Sequence, residues 1–305
     1  MKLPFLGPVV PPHVFCLRPE GVTYASVRRE PPSGFLQARA FAYPPGTLGT
    51  GPAGTPLVTR DALAEAVEAG RRLAERRLSH ASVVFPDSWA RMLPIDFDAS
   101  PGSVEAARQM VLWKFKKLLP GAVAEQTVVF RDMTPLAEQR RLLVAAAPAE
   151  VLRAIEQAFE SLGVRVGMLV PASLALFEGF SSTLASRAAG DYALLHRAPG
   201  SLVFIIARNG TPIFFRQRPA EQGNGAHDQE VRLSLSYYSE KLQGKGLSAA
   251  YLHDEAPAGD SLTGAFRVPL EPLSGRLFQT DAAFGERIAA HPELMAGFAA
   301  VYGQG

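Results

Sequence analysis

The chain has 305 residues, long enough for two domains, and its 47% hydrophobic content suffices for substantial cores. With 31 basic and 29 acidic side chains the net charge is only +2, which removes the electrostatic case for a nucleic-acid binder. A lone cysteine, Cys16, excludes an internal disulfide framework and fits a reducing compartment, where its apolar surroundings suit a buried structural thiol.

The amino terminus, MKLPFLGPVVPPHVF, holds one lysine and four prolines and lacks the cleavage pattern of a signal peptide. No stretch approaches the ~20 apolar residues that span a bilayer. Membrane association is therefore expected only through a partner. A strand meander at 13–17, 22–29 and 35–42 opens the fold, and a Pro/Gly/Thr-rich loop runs from Pro44 to Pro56. An amphipathic helix over 61–79 follows, with Leu63, Val67, Gly70, Ala74 and Leu78 on one face. A short buried strand at 81–85 closes this block.

A strand at 91–97, a helix from Ser103 to Leu119, and strands at 127–131 and 141–147 make a second block. Pro148 suits the first turn of a helix carrying Leu152, Ile155, Phe159 and Leu162, which stops at Gly163. A strand at 164–170 leads into a helix from Pro171 to Ala188. The third block opens with strands at 192–197, 201–208 and 211–218, joined through Pro199-Gly200 and Asn209-Gly210; Asn-Gly between apolar runs is a strong hairpin signal. A helix with Val231, Leu235, Tyr238 and Leu242 on one face comes next, then short strands and a closing helix near 293–302. No sequence repeat is visible.

Four segments carry a resemblance: 57–97 (LVTRDALAEAVEAG…FPDSWARMLPIDF), 111–120 (VLWKFKKLLP), 142–177 (LLVAAAPAEVLRAIEQAFESLGVRVGMLVPASLALF) and 230–253 (EVRLSLSYYSEKLQGKGLSAAYLH). In this order they resemble the type IV pilus assembly protein PilM family, relatives of FtsA. The resemblance implies an actin-like (ribonuclease H-like) α/β fold of two lobes. Residues 1–86 and 164–190 would form the first lobe, 87–163 an inserted small α/β subdomain, and 191–305 a second lobe lacking most of its outer helical subdomain.

Actin-like ATPases hold phosphate in glycine-containing hairpin turns, with an aspartate organising the metal. At the first turn this chain has Arg18, Pro19 and Glu20 in place of an Asp-Ile-Gly type sequence; proline donates no N–H and glutamate repels phosphate. At the second, His196 and Arg197 replace aspartate and glycine ahead of Gly200, with Arg197 expected to be solvated on a turn. At the third, 254–260 (DEAPAGD) lacks paired glycines. The expectation is a non-catalytic scaffold without cofactor, ATP and magnesium being disfavoured. In the family a groove beside the inserted subdomain holds the cytoplasmic tail of an inner-membrane partner, PilN; here it is placed around Phe85, Met92, Leu93 and Pro94. The chain would then be cytoplasmic, at the inner membrane through its partner. The alternatives are an actin-like ATP-binding protein or ATPase with atypical loops, and the cytoplasmic part of a type II secretion platform protein.

The remaining motifs have plainer explanations. Gly49, Gly51 and Gly54 spell G-x-G-x-x-G, but prolines crowd a segment that should pass straight from strand to helix. Six scattered histidines show no metal-ligand spacing, so no metal is expected, and Asp228 beside His227 reads as a helix cap. Asp87-Ser88 lacks the glycines of a nucleophile elbow. Arg71, Arg72, Arg76 and Arg77, and Lys114, Lys116 and Lys117, read as solvated basic edges.

Overall fold

The computed structural model describes residues 10–44, 48–50, 56–74, 78–97, 103–118, 126–136, 139–219, 226–255 and 262–303. Strands β1 (His13–Arg18), β2 (Gly21–Arg28), β3 (Gly34–Ala42), β4 (Leu48–Thr50) and β5 (Pro56–Val58) precede helix α1 (Arg60–Arg71). Next come β6 (His80–Phe85), β7 (Arg91–Phe97), α2 (Val104–Leu118), β8 (Gln126–Asp132), β9 (Arg140–Pro148) and α3 (Ala149–Glu160). The chain continues through β10 (Arg165–Pro171), α4 (Ala172–Arg187), β11 (Tyr192–Ala198), β12 (Ser201–Arg208), β13 (Thr211–Arg218) and α5 (Ala226–Lys241). It ends with β14 (Ala249–Asp254), β15 (Leu270–Pro272), α6 (Phe284–Ala290) and α7 (Leu294–Tyr302).

Two compact units result: residues 1–89, 150–180 and 274–305 form one, 90–149 and 181–273 the other. The first is built on a sheet of order β10-β6-β1-β2-β3, in which β1, β2 and β3 form an antiparallel meander and β6 and β10 add in parallel. Strand β1 is buried from Val14 to Leu17, as its unbroken apolar run requires when both faces are covered. Alternation sends Phe15 to one face, where its ring meets Phe159 of α3 edge-on at 5.0 Å. Cys16 and Val14 face α7, so closely that a Cβ on Gly297 would lie 2.7 Å from the Cys16 sulfur. An aromatic cluster extends this contact, with Phe180 stacked on Phe278 at 4.0 Å and Phe298 on Tyr302 at 5.0 Å.

The second unit repeats the pattern. Its sheet has the order β13-β12-β11-β14-β15, again an antiparallel meander whose first strand pairs in parallel with a fourth, and the fourth with a fifth. Asn209 (φ 50°) and Gly210 (φ 76°) both occupy the left-handed region, the conformation a two-residue primed turn demands of an Asn-Gly hairpin. Helix α5 packs Val231 and Tyr238 over Ala193, Leu195, Phe204 and Ile206. A smaller sheet, β7-β9-β8, is covered by α2 through Ile95, Phe97, Val111, Phe115, Leu142 and Val144. This block interrupts the first unit in sequence but belongs to the second in space. Buried Arg141 joins it there, donating to Asp96 Oδ1 at 2.8 Å and to the Ile213 carbonyl at 2.9 Å. Gln217 does the same, accepting from the Met92 N–H at 2.8 Å and donating to the Ala90 carbonyl at 3.1 Å.

The observed boundaries shift three expectations. Helix α1 ends at Arg71 rather than 79, because Gly70 weakens its last turn, and buried Leu78 lies outside the helix. Helix α3, assigned by sequence to the inserted block, packs in the first unit through Phe159. The closing segment 274–305, expected in the second lobe, returns to the first unit because α7 is apolar all round and needs a buried site.

Candidate functional site

The two meanders place equivalent two-residue turns at the ends of β1 and β11, where an actin-like ATPase would grip phosphate. In the first unit Arg18 pairs across from Gly21, so Pro19 and Glu20 form the exposed turn. Arg18 is held by its own neighbour Glu20 and by buried Glu293, 3.1 Å from Nη1. Glu293 also accepts from the Thr23 hydroxyl. The only cation at this turn is thus flanked by two carboxylates among the described residues.

In the second unit Ala198 pairs with Ser201 around Pro199 and Gly200, and Gly200 takes φ 76° as a Pro-Gly turn asks. Arg197 is not the solvated turn residue expected from sequence. It lies within β11, is 5% exposed, and makes a bidentate pair with Asp254, whose Oδ1 accepts from Nε at 3.0 Å. His196, expected to be either exposed or hydrogen-bonded, is buried and hydrogen-bonded. Its Nε2 lies 3.1 Å from Glu255 Oε1, and its ring stacks on His253 with centroids 5.0 Å apart. The third turn falls partly outside the described residues, as do Gly51, Gly54, Arg76 and Arg77.

A helix N-terminus is a ready anion site, and the N-terminus of α4 is filled by the chain itself. Buried Asp87, in the short 3-10 turn after β6, accepts at Oδ1 from the Ser173 N–H at 3.0 Å and the Ser173 hydroxyl at 2.9 Å. This cap was not legible in the sequence, because nothing local links positions 86 apart. Asp228, expected to cap α5, lies inside its first turn and accepts from Arg232 Nε at 2.7 Å.

A second charged constellation holds the β11 entrance. Asp191 accepts from Arg208 Nε at Oδ1 and from Tyr238 Oη at Oδ2, each at 2.7 Å. Burial pushes the Asp191 carboxyl up, but the hydrogen bonds from Arg208 and Tyr238 and the guanidinium charge outweigh it and hold it below the usual carboxylate range.

The four residues assigned to a partner groove divide by burial. Phe85, in the first unit, is buried and stacks on Trp89 at 6.5 Å. Met92, in the second unit, is buried, while Leu93 and Pro94 are half-buried on β7, paired with Val144 and Leu143 of β9. As folded, Phe85 and Met92 offer no surface to a peptide; their side chains are committed to packing. Of the basic helix edges, Arg71 and Arg72 pair with Glu68, and Lys117 covers the exposed Trp113 ring at 3.7 Å.

No family model matches the sequence, and no curated protein matches it. Solved structures do. A chain of a PilM–PilN type IV pilus biogenesis complex superposes with a TM-score of 0.76 at 18% identity, covering 98% of this chain and 100% of that one. The fold is actin-like. The cytoplasmic domain of EpsL, an inner-membrane component of the Vibrio cholerae type II secretion system, matches with a TM-score of 0.50 at 14% identity, covering 91% and 94%. A Bacteroides thetaiotaomicron protein described as having an actin-like ATPase fold and unknown function also reaches 0.50, at 8% identity, covering 95% and 99%.

Of the residues singled out from sequence, Arg18 ends β1 and Pro19 and Glu20 form the turn after it, while His196 and Arg197 lie within β11 and Gly200 in the turn that follows. Among the described residues, no helix is long and apolar enough to cross a membrane. Sequence reasoning missed Glu293, Asp254 and Glu255, the carboxylates that engage Arg18, Arg197 and His196. Of these, only Asp254 and Glu255 had a usable signal, following His253 directly in sequence.

Proposed function

We propose that this chain is a non-catalytic scaffold of a type IV pilus, or related secretion, inner-membrane assembly platform. It works in the cytoplasm and binds the tail of a PilN-like membrane protein. The observation that carries this reading is the end-to-end superposition on a chain of the PilM–PilN complex. The chemistry of the twin turns supports the non-catalytic part. Transferring phosphate needs preorganised donors and a metal facing the phosphoryl group. Here Pro19 withholds a donor, Glu20, Glu293 and Asp254 place negative charge beside the two arginines, and Glu255 does so beside His196.

Leu93 packs at the edge of the core under α2, so half-buried Pro94, on the other face of β7, is the part of the proposed groove open to an extended peptide, which such surfaces hold by main-chain bonds and apolar pockets. The test is fluorescence anisotropy with a labelled PilN-type tail peptide. Saturable binding that Pro94→Asp weakens about tenfold or more, with unchanged circular dichroism, supports the reading. A folded chain that ignores the peptide overturns the partner assignment. Calorimetric binding of ATP with magnesium overturns the cofactor-free part and favours an actin-like ATP-binding protein.

A further inference from the structure

We infer that His196, His253 and Glu255 form a binding site for a divalent transition metal at the carboxyl end of β11 and β14. Strand register builds the site. In the parallel pair β11–β14, His196 lies directly opposite His253, so both imidazoles project from one face. Glu255, the residue after β14, follows His253 by two positions, and its carboxylate lies beside both imidazoles. The intervening residues, Arg197 and Asp254, point to the opposite face and are bonded to each other. The three residues lie 57 and two positions apart in sequence, so no ligand spacing announces them. The sequence alone therefore predicts no metal site, and the cluster assembles only across the strand pair.

The geometry suits a small ion. The three donor atoms, one per residue, lie within 4.8 Å of one another. Glu255 Oε1 is 3.1 Å from His196 Nε2 and 3.7 Å from His253 Nδ1. A tetrahedral ion with bonds of about 2.0–2.1 Å sets its ligands about 3.3–3.4 Å apart, between those two values. The imidazoles are 1% and 3% exposed and the carboxylate 12%, so the ligands are held by packing and one edge stays open. Ser201, paired with Ala198 and therefore on the His196 face, has a buried hydroxyl with no hydrogen-bond partner among the described residues. Ligand sites in α/β sheets favour the carboxyl ends of strands where the sheet reverses its order, and β11 stands there, antiparallel to β12 and parallel to β14.

Two imidazoles and one carboxylate select zinc, cobalt or nickel over magnesium, which prefers oxygen and keeps its waters. Three protein ligands leave at least one position for water or an exogenous donor. The assignment does not depend on the partner protein proposed above.

The test uses the full chain, stripped with a chelator and titrated with zinc chloride by calorimetry, and with cobalt chloride by visible absorption. One equivalent should bind with the intense d–d bands of a low-symmetry cobalt site, unaffected by a large excess of magnesium. His253→Ala and Glu255→Gln should each weaken binding about 100-fold or more, while His80→Ala, at an exposed histidine, leaves it unchanged. X-ray absorption of the zinc-loaded wild type, which needs no variant to fold, should show two imidazoles in the coordination shell. A chain that stays folded and binds no zinc overturns the inference. So does binding that survives both substitutions, yields to magnesium, or shows no imidazole ligand; the cluster is then a hydrogen-bonded network alone.

Discussion

Asp87 shows how one side chain can link segments far apart in sequence. Its carboxylate occupies the N-terminus of α4, taking two hydrogen bonds from Ser173, and burial means that no water replaces it readily. Asp87→Ala should therefore cost both the cap and the desolvation of the orphaned donors, about 2–3 kcal/mol, read as a lower urea midpoint with unchanged slope. Asp191 carries a pH signature as well. Its folded-state value lies below that of an unfolded aspartate, so the native state binds fewer protons. The resulting stabilisation is complete above about pH 4 and is lost as the pH falls through the depressed folded value. Tyr238→Phe removes the single hydroxyl proton shared between Asp191 and the Gly246 carbonyl and should lower stability by about 1–2 kcal/mol at neutral pH. Urea midpoints measured from pH 7 to pH 2.5 should fall less steeply in Arg208→Gln than in the wild type. Equal slopes would remove Asp191 from the acid transition.

At the level of elements, closeness of approach decides more than propensity. Helix α4 meets α7 where a Cβ on Gly179 would lie 2.2 Å from the Ala299 carbonyl oxygen. Alanine gains about 0.5–1 kcal/mol of helix propensity over glycine, but a clash with backbone cannot be relieved by a rotamer change. Gly179→Ala should thus destabilise by about 3 kcal/mol, lowering the thermal midpoint, whereas a propensity-dominated site would show a rise. Strands and hairpins of this fold were legible in the sequence because their signals are local. Apolar runs gave β1, β6 and β11, and Asn209-Gly210 gave its turn. Burial of Arg197 and His196 was not legible, because their partners Asp254 and Glu255 arrive from a strand whose parallel register is set only by the finished sheet. The same limit hid the carboxylate behind Arg18, since Glu293 comes from the far end of the chain.

Across the whole molecule, one topology occurs twice without visible sequence repetition, because each copy preserves only where apolar residues must fall. The order β3-β2-β1-β6-β10 is matched by β13-β12-β11-β14-β15, and in both the first turn of the meander is two residues long. The first copy is nonetheless completed by the last residues of the chain, which sequence order alone assigned to the second. In α7, Leu294, Met295, Ala296, Phe298, Ala299 and Val301 are wholly shielded from water, filling the face of the sheet that carries Val14 and Cys16. Four large side chains in that set, at about 1.5–3 kcal/mol each when fully buried, amount to most of the net stability an ordinary domain has. A chain ending at Leu273 should consequently lose cooperative unfolding of its first unit. It should bind a hydrophobic dye at neutral pH and lose near-ultraviolet dichroism while keeping much of its far-ultraviolet signal. Supplying residues 274–305 as a separate peptide should restore part of the near-ultraviolet signal, since the vacated face is specific for α7. A truncated chain that melts in one sharp transition at the wild-type temperature would mean that the first sheet stands without its closing helix.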